Sequence, residues 1–206
     1  MFDKWTAPLV QKPLTYIAHN VDKTGVTPDQ VTIAGFIIGM LAIPLLAFQL
    51  YTAALIAILI NRILDGLDGA LARLNMPTDA GGFLDITLDF IFYSGVVAGF
   101  ALADPRENAM AATVLIFSFM GTGSSFLTFA IMAEKRLLIP PHFENKSLYY
   151  LGGLAEGTET IVLFVFFCLF PNLFSLLAYT FASICFLTTI LRVWGGYNSI
   201  KQAENS

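Results

Sequence analysis

The sequence predicts an all-α membrane protein: six transmembrane helices with an N-terminal interfacial amphipathic segment, in a single domain over residues 1–206. Only 13% of the 206 residues are charged and 56% are hydrophobic, whereas a soluble domain is about 25% charged. The mean hydropathy is +0.72, and apolar runs of about 20 residues, the length of a spanning helix, recur along the chain. We therefore expect lipid to be the solvent for most of the chain.

Residues 1–30 precede the first long apolar run and mix apolar with basic side chains, as Trp5 and Lys12 show. This composition is typical of a helix that lies on the membrane surface. A disordered tail is the alternative, because Pro8 and Pro13 would interrupt a helix.

Six apolar runs follow, separated by short polar turns such as "DPREN" and "FPN". Each run is close to the length that crosses a hydrocarbon core at 1.5 Å per helical residue. The predicted spans cover about 31–50, 52–72, 81–103, 109–133, 149–170 and 173–194.

Basic residues mark one side of this predicted bundle. Of the 11 Lys and Arg residues, all but Arg106 fall on the side shared by both termini and by the loops after the second and fourth spans. Because Lys and Arg favour the cytoplasmic side, we expect the termini to face the cytoplasm from a bacterial inner membrane. The net charge of −4 and the lack of a long basic run argue against nucleic acid as a partner.

Three pairs of glycines have the small-xxx-small spacing that lets membrane helices approach closely. They are Gly35–Gly39, Gly95–Gly99 and Gly153–Gly157. The spacing fits packing inside one bundle as well as it fits a homodimer, so both interpretations stay open.

Four aspartates are spaced so that they share helix faces near one end of the bundle. Residues three or four apart lie on one face of a helix. Asp65 and Asp68 therefore line one stripe of the second span, and Asp85 and Asp89 line one stripe of the third. The short loop 74–80 makes these spans neighbours, so the four carboxylates should converge at the cytoplasmic edge of the membrane.

The free-energy cost of placing four carboxylates together in a membrane favours a bound cation. An aspartate at mid-membrane costs about 2.5–3.5 kcal/mol, and like charges this close cannot all stay ionised without a positive partner. Arg62 and Arg73 offset part of the charge, and a divalent metal such as Mg²⁺, Mn²⁺ or Ca²⁺ suits the remaining hard oxygen ligands. The alternative is a set of helix-end carboxylates that are capped or paired at the interface. Asp79 is interpreted as a solvated loop residue.

The same stretch resembles the signature of the CDP-alcohol phosphatidyltransferase family, D-x-x-D-G-x-x-A-R followed by G-x-x-x-D-x-x-x-D. Seven residues separate the arginine from the following glycine, where many members have eight, and this difference changes only a loop. The signature positions here are Asp65, Asp68, Gly69, Ala72, Arg73, Gly81, Asp85 and Asp89.

The resemblance implies a phospholipid-synthesising enzyme. Such an enzyme moves a phosphatidyl or related substituted phosphoryl group from a CDP-linked lipid donor to a small polar alcohol and releases CMP. The resemblance implies that Asp65, Asp68 and Asp85 ligate Mg²⁺ or Mn²⁺. It implies that Asp89 contributes to a second metal position and takes the proton from the acceptor hydroxyl.

The remaining signature residues are assigned to the donor by the same resemblance. Gly69 and Ala72 would leave room for the cytidine nucleotide, and Arg73 would steady the structure or the donor phosphates. Gly81 is placed on the donor side with them.

The acceptor would be recognised by residues outside the signature. Lys135 and Arg136 end the fourth span and could bind phosphate, or they could be ordinary cytoplasmic anchors. Glu156 and Glu159 lie near the start of the fifth span, where a helix dipole also favours acidic residues. We hypothesise that the two glutamates line an acceptor pocket that prefers a neutral polyol or a cationic head group.

Two other classes of protein could carry acidic residues in a bundle. A cation or proton transporter usually binds its ion near mid-membrane, at broken helices in paired repeats; no internal repeat is evident, and the cluster lies at one edge. An inactive scaffold derived from the family is the other alternative, and the presence of all eight signature residues argues against it.

Overall fold

The computed structural model describes the backbone of residues 3–135 and 157–204, and the side chains from residue 13 onward within those ranges. Every regular element in these residues is helical, which confirms the all-α class. The elements are α1 (Asp3–Asp22), α2 (Pro28–Met40), α3 (Ala42–Ala47), α4 (Tyr51–Asn75), α5 (Asp79–Ala103), α6 (Pro105–Lys135), α7 (Gly157–Leu169), a 3₁₀ turn (Pro171–Leu173) and α8 (Phe174–Glu204).

Four segments of the described chain are long and apolar enough to cross a membrane, so the chain is an integral membrane protein but the count of six spans is not confirmed. Helix α4 is not one of these four segments, because it contains the charged signature residues. The 13 residues of α7 make it shorter than a usual span, and residues 149–156 of the predicted fifth span lie outside the described residues. The four segments are Pro28–Ala47, Asp79–Ala103, Pro105–Lys135 and Pro171–Glu204.

The N-terminal segment is helical through both prolines, so Pro8 and Pro13 do not interrupt α1. Its second half packs against α4, where Leu14 is buried together with Leu67 and Leu71. These apolar contacts stabilise the helix and offset the backbone hydrogen bonds that proline cannot donate. The predicted location of the segment on the membrane surface stays a prediction.

The first span begins three residues before the predicted residue 31, because a capping box starts the helix at Pro28. The hydroxyl of Thr27 accepts a hydrogen bond from the Gln30 N–H, and the Gln30 side chain accepts one from the Thr27 N–H. The helix then breaks at Leu41, between α2 and α3. Pro44 explains the break, since its nitrogen cannot donate to the carbonyl four residues earlier.

The turn between α4 and α5 is shorter than the predicted loop 74–80. Helix α4 continues to Asn75, and α5 begins at Asp79 because the Thr78 hydroxyl caps it by accepting a hydrogen bond from the Gly81 N–H at 3.0 Å. The assignment of Asp79 to a loop was therefore wrong, although its side chain is exposed as expected.

Helix α2 packs against both α4 and α5. The carboxylate-bearing faces of α4 and α5 therefore border a space that a third helix closes. Farther from this space, rings from α5, α7 and α8 form an aromatic core. Phe100 stacks on Phe174 at 4.8 Å between ring centroids, and Phe167 lies 4.6 Å from Phe174.

Two of the predicted glycine pairs serve close packing within the chain. A Cβ atom on Gly35 would lie 3.0 Å from the Leu64 Cβ atom on α4, and one on Gly99 would lie 2.9 Å from Leu46 on α3. These pairs therefore give no support for a homodimer. Gly153 of the third pair lies outside the described residues.

Replacing Gly39 with Ala should destabilise the bundle by about 1–3 kcal/mol, the usual cost of overpacking a core. The new Cβ atom would lie 2.8 Å from the Asn61 amide nitrogen and 2.9 Å from the Phe92 ring, and both side chains are buried. Thermal unfolding in detergent measures the effect. Gly82→Ala is the matched control, because a Cβ atom there meets nothing within 4 Å. Equal unfolding temperatures for the two variants would contradict the packing argument.

Candidate active site

Three of the predicted carboxylates converge in the space between α4 and α5. One oxygen each from Asp65, Asp85 and Asp89 lies within 4.8 Å of the other two, and all three side chains are half-buried. Oxygens on opposite sides of one Mg²⁺ are about 4.2 Å apart, twice the usual ligand distance of about 2.1 Å. This acidic triad therefore fits one hard divalent cation after small side-chain movements.

Asp68 lines the same cavity but lies outside the acidic triad. It is only 4% exposed, and its carboxylate accepts a hydrogen bond from the Thr32 hydroxyl on α2. Thr32 also donates to the Pro28 carbonyl oxygen at 3.1 Å. The described geometry thus joins Asp68 to α2, and its predicted role as a metal ligand stays a prediction.

Arg62 contacts two members of the acidic triad. Its Nη2 atom donates to an Asp89 carboxylate oxygen at 2.7 Å, and its Nη1 atom lies 3.5 Å from an Asp65 oxygen. The Tyr93 hydroxyl accepts from Nη1 at 3.1 Å and donates to the second Asp89 oxygen at 3.3 Å. Both oxygens of Asp89 are therefore hydrogen-bonded; we call Arg62 and Tyr93 the Asp89 clamp.

The residues predicted to bind the CDP-linked donor are not among those that line this cavity. Ala72 is half-buried and Arg73 is exposed near the end of α4. A Cβ atom on Gly69 would lie 3.4 Å from the Arg73 guanidinium, and one on Gly81 would lie 3.0 Å from an Asp29 carboxylate oxygen. The glycines thus keep space beside charged groups, while their contact with a nucleotide stays a prediction.

The predicted acceptor residues are only partly described. Lys135 is exposed at the end of α6, and Glu159 is half-buried in the first turn of α7. Helix α7 starts close to the Asp89 clamp, since a Cβ atom on Gly157 would lie 3.7 Å from the Tyr93 hydroxyl oxygen. Arg136 and Glu156 lie outside the described residues.

Sequence reasoning missed several residues around the acidic triad. Tyr93 is four residues after Asp89 on the same face of α5, so helical spacing could have identified it. Arg62 was weighed only as partial neutralisation, although its spacing to Asp65 predicts their pair. Thr32 had no local signal, because its contact with Asp68 joins separate helices.

An integral membrane bundle with a carboxylate-lined cavity between its signature helices is typical of a membrane-embedded enzyme. The particular family is shown by sequence comparison: the model of the CDP-alcohol phosphatidyltransferase family matches residues 25–194. The chain belongs to this family and is a CDP-alcohol phosphatidyltransferase by class, as the signature predicts.

Relatives match along almost the whole chain. It is 53% identical over 204 residues to the inner membrane protein YnjF of Escherichia coli, covering 99% of each chain. It is 31% identical over 198 residues to an archaetidylinositol phosphate synthase of Pyrococcus horikoshii, covering 96% of each.

A solved structure shares the fold. The Mycobacterium tuberculosis phosphatidylinositol phosphate synthase PgsA1 with CDP-DAG bound superposes with a TM-score of 0.65 at 21% identity, covering 89% of this chain and 93% of that one. The same enzyme has also been crystallised with manganese and citrate.

Proposed function

We propose that the chain transfers a phosphatidyl or related substituted phosphoryl group from a CDP-linked lipid donor, CDP-diacylglycerol, to the hydroxyl of a small polar alcohol. The convergence of Asp65, Asp85 and Asp89 within 4.8 Å carries this proposal, because three signature carboxylates meet where the family's chemistry needs them. The fold shared with an enzyme crystallised with CDP-DAG supports the choice of donor.

The transfer breaks the phosphoanhydride bond of the donor and forms a phosphoester bond to the acceptor. The acceptor oxygen forms a bond to the donor phosphorus atom next to the lipid, the bond from that phosphorus to the CMP oxygen breaks, and CMP leaves with the bonding electrons. Asp89 accepts the proton from the acceptor hydroxyl, and a positioned general base of this kind contributes about 10²–10⁴-fold to the rate. The Asp89 clamp orients the carboxylate for this step.

The acidic triad would hold the metal cofactor, Mg²⁺ or Mn²⁺. When bound, such a cation neutralises and polarises the diphosphate of the donor. The manganese in the related crystal structure supports this assignment. Asp68, held by Thr32, adds a fourth negative charge to the same cavity and would complete the ligands.

The site would face the cytoplasm of a bacterial inner membrane. The basic residues gathered on the side of the chain termini support this orientation. The relative named as an inner membrane protein supports the compartment.

The acceptor pocket would lie at the start of α7. Gly157 approaches the Tyr93 hydroxyl there, and Glu159 follows within the same turn. Glu156 and Glu159 would together favour a neutral polyol or a cationic head group, because carboxylates repel an anionic acceptor.

Purified protein incubated with CDP-diacylglycerol and single alcohols should release CMP most rapidly with a neutral or cationic acceptor. The panel is inositol, choline, serine, glycerol phosphate and inositol phosphate, followed by CMP release and by the lipid product. The E156Q/E159Q double variant should improve use of the two phosphorylated alcohols by about tenfold, as one removed repulsive contact would. An unchanged acceptor preference in this variant would refute the role of the two glutamates in the acceptor pocket. Absence of CMP release with every alcohol would refute the assignment of CDP-diacylglycerol as the donor.

A further inference from the structure

Arg62 is built into the site more firmly than a surface counter-ion. Its side chain is 13% exposed, and its guanidinium lies over the Phe92 ring at 4.7 Å and over the Tyr93 ring at 5.3 Å. Its Nε atom donates to the Asn61 side-chain oxygen at 2.7 Å. Planar stacking and forked hydrogen bonds of this kind fix an arginine in one orientation.

The support extends to α2. The Asn61 amide that accepts from Arg62 also donates to the Gly35 carbonyl oxygen at 2.9 Å, and the missing side chain of Gly39 leaves room for it. Arg62 is thus held from α4, α5 and, through Asn61, α2. An arginine held on three sides can fix the position of the carboxylate that it contacts.

The same guanidinium competes for the oxygens that would bind a metal. Its two Nη atoms contact Asp89 at 2.7 Å and Asp65 at 3.5 Å, which are two of the three members of the acidic triad. A divalent cation at the triad would share these carboxylates with a fixed positive charge. Like charges a few ångström apart oppose each other, so Arg62 must weaken the binding of the cation that the triad attracts.

We propose that Arg62 is a positioning residue for Asp89 with two separable effects on the site. The hydrogen bond from its guanidinium orients the Asp89 carboxylate for proton transfer. Its positive charge keeps the affinity for the divalent cation lower than it would be with the carboxylates alone. The inference deepens the proposed function and rests on it for the catalytic half. The metal-binding half stands on the contacts of Arg62 alone.

The test measures Mn²⁺ affinity and turnover separately in detergent-solubilised protein. Free Mn²⁺ is followed by electron paramagnetic resonance without donor, and CMP release gives kcat and KM. Arg62→Gln should bind Mn²⁺ at least about tenfold more tightly, the change expected from removing one nearby positive charge even at the dielectric constant of water. Its kcat should fall about a hundredfold, the cost of a catalytic group misplaced by about 1 Å.

Two conservative variants separate charge from geometry. Arg62→Lys keeps the charge and loses the fork, so its Mn²⁺ affinity should stay within about threefold of the wild type while kcat falls. Tyr93→Phe should behave in the same way, because it removes the hydroxyl that contacts Asp89 and changes no charge. Arg106→Gln removes an exposed arginine from the first turn of α6 and should change neither quantity.

In Arg62→Gln, Mn²⁺ affinity should rise while kcat falls. A merely structural role for Arg62 would instead weaken metal binding and turnover together. Mn²⁺ affinity that is unchanged or weaker in a folded Arg62→Gln, with wild-type size-exclusion behaviour, would overturn the inference. If Arg62→Gln does not fold, wild-type kcat in Tyr93→Phe and Arg62→Lys would overturn it. A wild-type protein that binds Mn²⁺ but releases no CMP would overturn the proposed function, while the Mn²⁺ titration still decides the effect of Arg62's charge.

Discussion

Replacing Asp89 with Asn should reduce kcat for CMP release by about a thousandfold, within the range that a general base contributes. Asparagine has the same shape and can still accept the Arg62 hydrogen bond, which is 2.7 Å long in the wild type, but it cannot take the proton from the acceptor hydroxyl. Donor binding should persist, because the other carboxylates of the cavity stay in place. The measurements are CMP release and retention of radiolabelled CDP-diacylglycerol by the purified protein.

Asp79→Asn is the matched control for this experiment. Asp79 lies on the same helix as Asp89, but its side chain is exposed at the first residue of α5, so it should keep wild-type turnover. Full turnover in Asp89→Asn would refute the assignment of the base. Loss of turnover in both variants would instead point to a general sensitivity of α5 to charge removal.

Removing divalent metal should stop the reaction, and restoring it should rescue only a protein with an intact acidic triad. We expect EDTA to abolish CMP release, and Mg²⁺ or Mn²⁺ to restore it in the wild type. The D65N/D85N double variant should stay inactive at all metal concentrations, because it loses two of the three carboxylates that converge within 4.8 Å. Loss of direct ligands should exceed the roughly 10–100-fold cost of disturbing residues around a metal site.

Measuring Mn²⁺ binding to D65N/D85N directly tests whether its loss of turnover comes from loss of the metal. Its affinity should fall together with turnover, whereas Asp79→Asn should keep both. Turnover by the wild type in thoroughly chelated buffer would contradict the proposed cofactor. Normal Mn²⁺ binding by D65N/D85N would show that the ion is held elsewhere.

The part of the site that lies within single helices could be predicted from the sequence. Spacing of three and four residues placed Asp65 on the cavity-facing side of α4, and Asp85 and Asp89 on that of α5, because helical geometry alone decides which residues share a face. The predicted boundaries of α5 were also close, since its apolar run ends at the polar turn after Ala103.

Contacts between helices could not be predicted in the same way. Whether Asp68 faces the acidic triad or α2 depends on the packing of α2 against α4, and no local pattern records the Thr32 hydrogen bond. The helical course of α1 through Pro13 had a similar cause, because packing of the second half of α1 on α4 outweighed the local preference of proline. The count of six spans stays unconfirmed, because charged residues in α4 and the short described length of α7 do not meet a simple rule of length and hydropathy.

The contact between α1 and α4 extends the packed bundle beyond the residues that the family model matches. Leu14 lies where Gly66 has no side chain, so that a Cβ atom there would be 2.7 Å from a Leu14 methyl group, and Gly66 directly follows Asp65. The family match begins only at residue 25. A shortened protein that starts there would expose the apolar surface of Leu67 and Leu71 close to Asp65 and Asp68. Expression for crystallography or engineering should therefore keep the first helix.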